Sequence, residues 1–388
     1  MKIVGIIIGG KTVEHEVSII TGLQVLDNID KNLYDPKIIY IQKDGKWYFG
    51  NSLHNIKNYK MKKFDDAYEV LPGFKEGKLI LYPHPDLKQG FFGKKYDSCE
   101  IDIIFPAVHG TNVEDGALHG MFQMNGVPCA FGSVLSSSLG MDKVIMKKVF
   151  ESYNLPVVDY TWFLRSDWDS NKVEIMEDIN RIGYPLIVKP ANLGSSVGIS
   201  KAEDEEELLN CIKIAMSYDR KIIVEKCVQN VREINCAVMG YENKLFVSSC
   251  EEPIGWKEFL TYEDKYVNKV KDSTAKRKIP ADVSDETTKL IQDYAKTSFT
   301  AIDCCGNARI DFLYDGNDIY VNEINTIPGS IAFYLWESCG VTFTNLITKI
   351  LDLAELQQKQ NSINIYSYDI DLLNKMSTNG KSGRSKIV

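Results

Sequence analysis

Residues 308–325, ARIDFLYDGNDIYVNEIN, restrict what this chain can fold into more than any other stretch. Two alternating runs flank Asp315-Gly316-Asn317, a combination that favours a tight hairpin. On a strand, residues i and i+2 share a face. Arg309 and Asp311 therefore point one way together, and so do Glu323 and Asn325. A three-residue loop sets Asp311 opposite Glu323 and Arg309 opposite Asn325. One face then presents two carboxylates, a carboxamide and a guanidinium, while Ile310, Phe312, Val321 and Ile324 face a core. Clustered hard oxygen donors suit Mg²⁺, which keeps waters and shares phosphate oxygens. The guanidinium beside them suits a phosphate or a developing oxyanion. The plainer reading is a solvated polar face on a hairpin buried on its other side.

Two further stretches bear on nucleotide chemistry. KPANLGSSVG follows the strand-like run 184–189, YPLIVK. Its small residues let backbone N–H groups approach an anion, and its two serines add hydroxyl donors. Lys189 at the strand end and Lys143 in GMDKVIMKK are candidate phosphate cations. Alone, such a loop reads as a flexible turn, and it is neither a P-loop nor a dinucleotide fingerprint; the carboxylate hairpin gives it weight. KIIVEKCVQNVREIN supplies a strand, a connector and a charged segment. The connector's backbone can read an adenine edge and Glu233 can hold ribose hydroxyls. By itself it is an ordinary linker.

The remaining organisation is that of an α/β protein. Residues 2–8, 37–42 and 101–108 read as strands, and a helix carries Ile19, Ile20, Leu23 and Leu26 on one face. Alternating strands and helices predict a parallel sheet covered on both faces, with sites at the strands' carboxyl ends. Residues 9–14 and 109–116 hold such positions. Helices are expected over 141–153, 204–217, 286–300 and 342–355, and a strand over 221–225. The polar, aperiodic stretch 251–280 reads as a lid or a disordered segment. With 388 residues the chain exceeds one simple core. The expected division is a substrate-binding domain over 1–135, a central domain over 136–227, a catalytic domain over 228–356 and a partly disordered tail over 357–388.

A net charge of −8 argues against nucleic acid or an anionic membrane as partner, though not against a nucleotide. The opening MKIVGIIIGGKTVEHE is too briefly apolar to read as a signal peptide, and no run approaches the ~18 apolar residues of a membrane span. Nine cysteines without a C-x-x-C pair read as reduced thiols of a cytoplasmic protein.

Taken in order, GGKTVEHEVS, HGTNVEDGALHGMFQMNGVPCAFG, MDK, KPANLGSSVGISK, EKCVQNVREINCAV, EDKY and ARIDF…NEINTIPG resemble the D-alanine–D-alanine ligases of the ATP-grasp superfamily, over about residues 3–350. The resemblance implies three α/β domains, with ATP between the last two. It implies ATP-dependent ligation of two D-alanines through an acyl phosphate, for peptidoglycan precursor synthesis, by a homodimer. Glu14 would hold the ammonium of the first D-alanine, and Ser195 would bridge Glu14 to Tyr266. Backbone donors of Ser196 and Val197, with Lys143 and Lys189, would bind ATP phosphates. Glu225, Lys226, Cys227 and Val228 would line the adenine pocket, with Glu233 at the ribose. Lys265 would reach the γ-phosphate or the product carboxylate. Asp311, Glu323 and Asn325 would hold two Mg²⁺ ions, with Mn²⁺ as a substitute. Arg309 and the Gly329 N–H would form the oxyanion site, and His109 would lie near the first substrate's carboxylate.

The chain departs from the family pattern after NTIPG. There GSIAFYLWE puts Tyr334 at the position of the usual serine, which binds the second substrate's carboxylate; Leu335 is kept, and Glu337 replaces a proline. The departure opens a second expectation, the same chemistry with another acceptor such as D-serine. Tyr266, where D-lactate-adding ligases carry histidine, weighs against a depsipeptide product. A third expectation, an ATP-binding regulator without ligase activity, predicts loss of metal or oxyanion residues. Arg309, Asp311, Glu323 and Asn325 are all present.

Overall fold

The computed structural model describes residues 1–87, 96–254 and 277–368. The opening run forms β1 (Lys2–Gly9), buried from Val4 onward apart from the glycines' lack of side chain. It ends at Gly9 and Gly10, whose φ values are +85° and +105°. A Cβ on Gly9 would lie 2.2 Å from the Ile41 carbonyl, so only glycine fits this turn. Helix α1 (His15–Asn28) returns the chain to β2 (Tyr34–Ile41), parallel to β1. Ile19, Leu23 and Leu26 of α1 face the core as expected, but Ile20 is 50% exposed. At 100° per residue it lies off that stripe, and it faces the cavity described below.

The first sheet is only partly parallel. After β3 (Trp47–Phe49), helix α2 (Ile56–Met61), β4 (Tyr68–Lys75) and β5 (Lys78–Pro83), the expected strand over 101–108 divides at Asp102 into β6 (Cys99–Ile101) and β7 (Ile103–Pro106). The order is β6-β5-β4-β3-β2-β1-β7, with β2, β1 and β7 parallel and the rest antiparallel. The antiparallel part comes from tight turns: Glu76 and Gly77 both take positive φ, the conformation of a two-residue hairpin loop. Asp102 stitches the curled sheet, accepting the Ile3 N–H on its carboxylate (2.8 Å) and donating its own N–H to the Ile3 carbonyl (3.0 Å).

Helices α3 (Ala117–Met124), α4 (Val134–Met141) and α5 (Lys143–Ser152) follow. The helix expected over 141–153 starts at Lys143, because the Asp142 side chain caps the Val144 and Ile145 N–H groups. The second sheet is antiparallel, formed by β8 (Tyr160–Leu164), β9 (Leu186–Pro190), β10 (Ser200–Ala202) and β11 (Lys221–Lys226) in the order β10-β9-β11-β8. Helices α6 (Lys172–Ile182) and α7 (Glu205–Tyr218) bury its apolar residues.

The third sheet holds β12 (Arg232–Tyr241), β13 (Lys244–Pro253), β14 (Arg277–Lys278), β15 (Gly306–Tyr314) and β16 (Ile319–Asn325), in the order β14-β13-β12-β15-β16. The stretch expected to be irregular from 251 thus begins as strand. Ile234, Cys236, Ile310, Phe312 and Ile324 pack against α5 and α8 (Asp285–Ala301). The alternate residues form a polar face. The chain continues through α9 (Phe333–Glu337) into α10 (Phe343–Asn361), whose buried residues join the core of the first sheet. α10 extends beyond the expected end at Glu355, since 356–361 contains neither Gly nor Pro to stop it. All nine cysteines are free thiols. Among the described residues no helix is long and apolar enough to cross a membrane.

Candidate active site

β15 and β16 are joined by four residues, 315–318, rather than three, and Tyr314 pairs with Ile319. Continued unchanged, that register would set Asp311 opposite Asn322. A bulge at Asn322 shifts the pairing by one, so Asp311 lies opposite Glu323 and Arg309 opposite Asn325. The bulge has a sequence signature. Val321 and Ile324 are both buried although three residues apart, which a regular strand does not allow.

The Arg309 guanidinium forks onto Asp311, with Nε to Oδ1 at 2.6 Å and Nη2 to Oδ2 at 2.7 Å. The Asn325 amide donates to the same Oδ2 at 3.0 Å. Burial works against the Arg309 charge, but the Asp311 carboxylate outweighs it and holds the guanidinium well above its ordinary pKa. Three of the roughly four acceptor directions of Asp311 are taken, which leaves room for one more ligand. Glu323 lies 3.5 Å from the Lys143 ammonium. Among the described residues no three His, Cys, Asp or Glu groups form a closed metal cluster. An ion here needs the Asn325 amide oxygen, water and substrate oxygens as well, a donor set that suits Mg²⁺.

The loop after β9 brings the opening turn to this hairpin. Ser195 and Ser196 adopt φ of 54° and 58°, and the Ser195 hydroxyl donates to the Glu14 carboxylate. Glu14 sits between two glycine backbones. A Cβ on Gly110 or Gly194 would lie 2.6 or 2.7 Å from its Oε2. The Val197 N–H donates within the loop, to the Gly194 carbonyl at 3.2 Å. Lys143 Nζ donates to the Leu193 carbonyl at 2.9 Å.

The Glu225 side chain is taken up by two lysines. Its carboxylate is buried between Lys189 (2.6 Å) and Lys147 (3.2 Å), a lysine that the sequence reading passed over. Burial raises the Glu225 pKa, but the two ammonium groups overcome this and hold it at about 2. Lys226 likewise turns inward, its Nζ donating to the Gly183 and Tyr184 carbonyls at 2.9 and 3.0 Å. The Cys227 N–H donates to the Pro185 carbonyl at 3.0 Å, and Val228 is half-buried.

A cavity of about 360 Å³ lies over the polar face of the third sheet. Of the residues singled out in the sequence, Glu14, His109, Lys143 and Ser195 line it from the first and second sheets. Glu233, Arg309, Glu323, Asn325, Gly329 and Tyr334 line it from the third. Lys189, Ser196, Val197, residues 225–228 and the nearly buried Asp311 do not. Leu335 is a correction: it is wholly buried in the core with α10, because the one-turn helix α9 turns it away from its neighbour Tyr334. Lys265, Tyr266, most of the expected lid and residues 377–388 lie outside the described residues.

His109 lines the cavity with both ring nitrogens engaged. Its Nδ1 is 2.9 Å from the Ile327 carbonyl and its Nε2 2.9 Å from the Thr21 hydroxyl. A carbonyl only accepts, so Nδ1 carries the proton and Nε2 accepts from Thr21. Burial, with a smaller push from Arg309, lowers its pKa to about 4, so the ring is neutral. His109 is thus a neutral brace for the Ile327 backbone at the cavity wall. Glu114, which the sequence reading missed, completes the brace by accepting the Gly110 N–H (3.0 Å) and the Ile327 N–H (3.1 Å). Burial and the nearby Glu14 charge push its pKa up to about 8.

The loop after β16 passes through three successive left-handed residues, Ser330, Ile331 and Ala332. Such a run persists only where its surroundings over-determine it. Here Asn307 donates to the Ile331 carbonyl (2.9 Å) and accepts from the Trp336 indole (2.8 Å), while Ile331 and Ala332 are wholly buried. Gly329 and Tyr334 are thereby held at the cavity. Asn235, Glu251 and Arg277 also line it and were missed. For the first two the signal was present, as the polar residues of β12 and β13 recur at period two. Arg277 lies over the Tyr334 ring, 3.6 Å from its centre, and its Nη1 is 3.2 Å from Glu251.

Residues 3–132 match the family described as D-ala D-ala ligase N-terminus, and residues 149–352 match D-ala D-ala ligase C-terminus. The chain is 40% identical to the D-alanine–D-alanine ligase of Thermosipho africanus over 373 residues, 95% of this chain and 97% of that protein. Among solved structures, the D-alanine–D-alanine ligase of Coxiella burnetii is 28% identical with a TM-score of 0.78, covering 93% of this chain and 96% of that one. The VanG D-Ala:D-Ser ligase of Enterococcus faecalis is 28% identical with a TM-score of 0.74, covering 91% and 99%.

Proposed function

The chain belongs to the D-alanine–D-alanine ligase family, and from that membership we infer that it joins two D-alanines to D-alanyl-D-alanine at the expense of ATP. The observation that carries this reading is the single cavity in which Glu14, Lys143, Arg309, Glu323 and the Gly329 backbone converge.

A carboxylate is a poor acyl donor because its leaving group would be oxide. Transfer of the γ-phosphoryl of ATP to the first D-alanine's carboxylate makes an acyl phosphate, with phosphate as the leaving group. The neutral amine of the second D-alanine then attacks the carbonyl carbon. Collapse of the tetrahedral adduct forms the peptide bond and releases phosphate, leaving ADP.

We assign Glu14 to the ammonium of the first D-alanine, with Ser195 fixing the carboxylate. Lys143, Lys189 and the Ser196 and Val197 backbone bind phosphate oxygens, residues 225–228 bound the adenine, and Glu233 takes the ribose. Arg309 and the Gly329 N–H stabilise the oxyanion in a site preorganised by the Asn307 clamp. Asp311, Glu323 and Asn325 would hold two Mg²⁺ ions, which when bound offset charge on the phosphoryl group. His109 and Glu114 position the 327–330 backbone. Lys265 and Tyr266 complete the site by the family resemblance. An acyl phosphate hydrolyses in water, so such a site has to exclude it. We propose a cytoplasmic homodimer, the common symmetric assembly.

The test is ATP-dependent phosphate release with Mg²⁺ and D-alanine alone, with the product identified by mass. D-alanyl-D-alanine is expected. ATP binding without turnover on D-alanine would overturn the reading.

A further inference from the structure

The acceptor attacks through a neutral amine, so at that moment it is an anion whose charge sits on its carboxylate. A cation that holds that carboxylate has to leave the phosphate-binding cations in place. Among the described residues lining the cavity, the cations are Lys143, Arg277 and Arg309. Lys143 lies against Glu323 and the Leu193 carbonyl, and Arg309 has its fork on Asp311. Both are engaged with carboxylates of the β15–β16 hairpin. Arg277 stands on β14, the opposite edge of the same sheet.

Cross-strand pairing puts the chemistry of this sheet in a row. Asp311 lies opposite Glu323 on one side and Asn235 on the other, and Asn235 lies opposite Glu251. Arg277 pairs with Pro253, two residues beyond Glu251. The leaving phosphate belongs at the β16 end, and the oxyanion at Arg309. An entering nucleophile therefore has the β14 end left to it, and there it meets Arg277 and Tyr334.

Arg277 is built to receive a ligand. The Tyr334 ring supports its guanidinium at 3.6 Å, and Glu251, itself 2% exposed, fixes one edge at 3.2 Å. That Nη1 contact is an ion pair without a directed hydrogen bond, and Glu251 Oε2 has no hydrogen-bond partner. A guanidinium has five N–H groups in a planar fork that matches a carboxylate. Tyr334 occupies the place of the serine usual in this family for the acceptor's carboxylate.

We propose that Arg277 binds the carboxylate of the acceptor D-amino acid, with Tyr334 as the shelf that orients its guanidinium. This rests on the ligase reading above. Arg277 and Tyr334 together replace the small serine with a cation on an aromatic support. The subsite selects for an anionic acceptor, and the aromatic wall favours a small side chain.

The experiment is a D-alanine saturation series on the full chain, in which low and high concentrations separate the first-site and second-site KM, together with the KM for ATP. Arg277→Gln is expected to raise the second-site KM by about tenfold or more, the loss of a charge-assisted pair. The first-site KM and the KM for ATP should stay within about twofold. Arg277→Lys should recover part of the loss, and Tyr334→Ala, which removes the shelf, should raise the second-site KM in the same direction as Arg277→Gln. An unchanged second-site KM in Arg277→Gln would overturn the proposal. So would an equal rise in all three constants, which would mark a structural role. If the unaltered chain makes no dipeptide, the ligase reading fails. If it makes dipeptide and Arg277→Gln is indifferent, only the Arg277 assignment fails.

Discussion

Glu225 shows how a single buried charge ties the second sheet to the helix beneath the third. Its carboxylate neutralises both Lys147 and Lys189. Glu225→Gln would leave two buried ammonium groups without a counter-charge, and is expected to cost about 3–5 kcal/mol, read as a lower urea midpoint. Because its folded pKa is held near 2, this contribution is complete above the ordinary 4.5 and is lost as pH falls through the interval between them. Glu114 has the opposite sign. Its folded pKa is raised to about 8, so between 4.5 and 8 the folded chain keeps a proton that the unfolded chain releases. Stability should fall across that window as pH rises, and Glu114→Gln should flatten the slope in denaturant titrations at pH 5 to 8. Glu323→Gln removes one hard anionic oxygen from the hairpin. It should lower turnover and raise the Mg²⁺ concentration needed for half-maximal phosphate release by on the order of tenfold or more.

At the scale of elements, two turns decide whether the residues meet. The loop after β9 approaches Glu14 closely only because residue 194 is glycine. In Gly194→Ala the new Cβ would fall 2.7 Å from Glu14 Oε2 and displace the carboxylate. The expected outcome is a higher first-site KM for D-alanine at unchanged thermal stability. The left-handed turn at 330–332 depends on Asn307. Asn307→Ala leaves the Ile331 carbonyl and the Trp336 indole N–H buried without partners, which costs about 1–3 kcal/mol. It should also loosen Gly329 and Tyr334, so urea stability and kcat should fall together. A loss of kcat alone would contradict the clamp.

At the scale of the whole molecule, the cavity wall is shared among three sheets. Glu14 and His109 come from the first, Ser195 from the loop of the second, and Arg309 and Glu323 from the third. A ligand bound there touches all three, and ligand that binds only the folded chain stabilises it by mass action. ATP with Mg²⁺ at a hundredfold excess over Kd is expected to add about 2.7 kcal/mol, seen as a rise in the unfolding temperature. An unchanged unfolding temperature would show that ATP does not bind the folded chain.

The local chemistry was legible in the chain itself. Alternation assigned Arg309, Asp311, Glu323 and Asn325 to one face, Gly-Ser composition marked the loop at 190–198, and strand and helix periods gave most elements. These signals depend on neighbours within a few residues, where backbone geometry dictates which side chains share a face. Tertiary structure decided the rest. It balanced a four-residue loop with a bulge, so that the predicted register arose by another route. It enclosed Glu225 between lysines from α5 and β9, made His109 a neutral brace, buried Leu335, and set Arg277 on Tyr334 across 57 residues of sequence. None of these has a local period. Each is fixed by burial and by the need of a buried charge or polar group for a partner, and that partner is supplied by whichever distant segment the packing brings near.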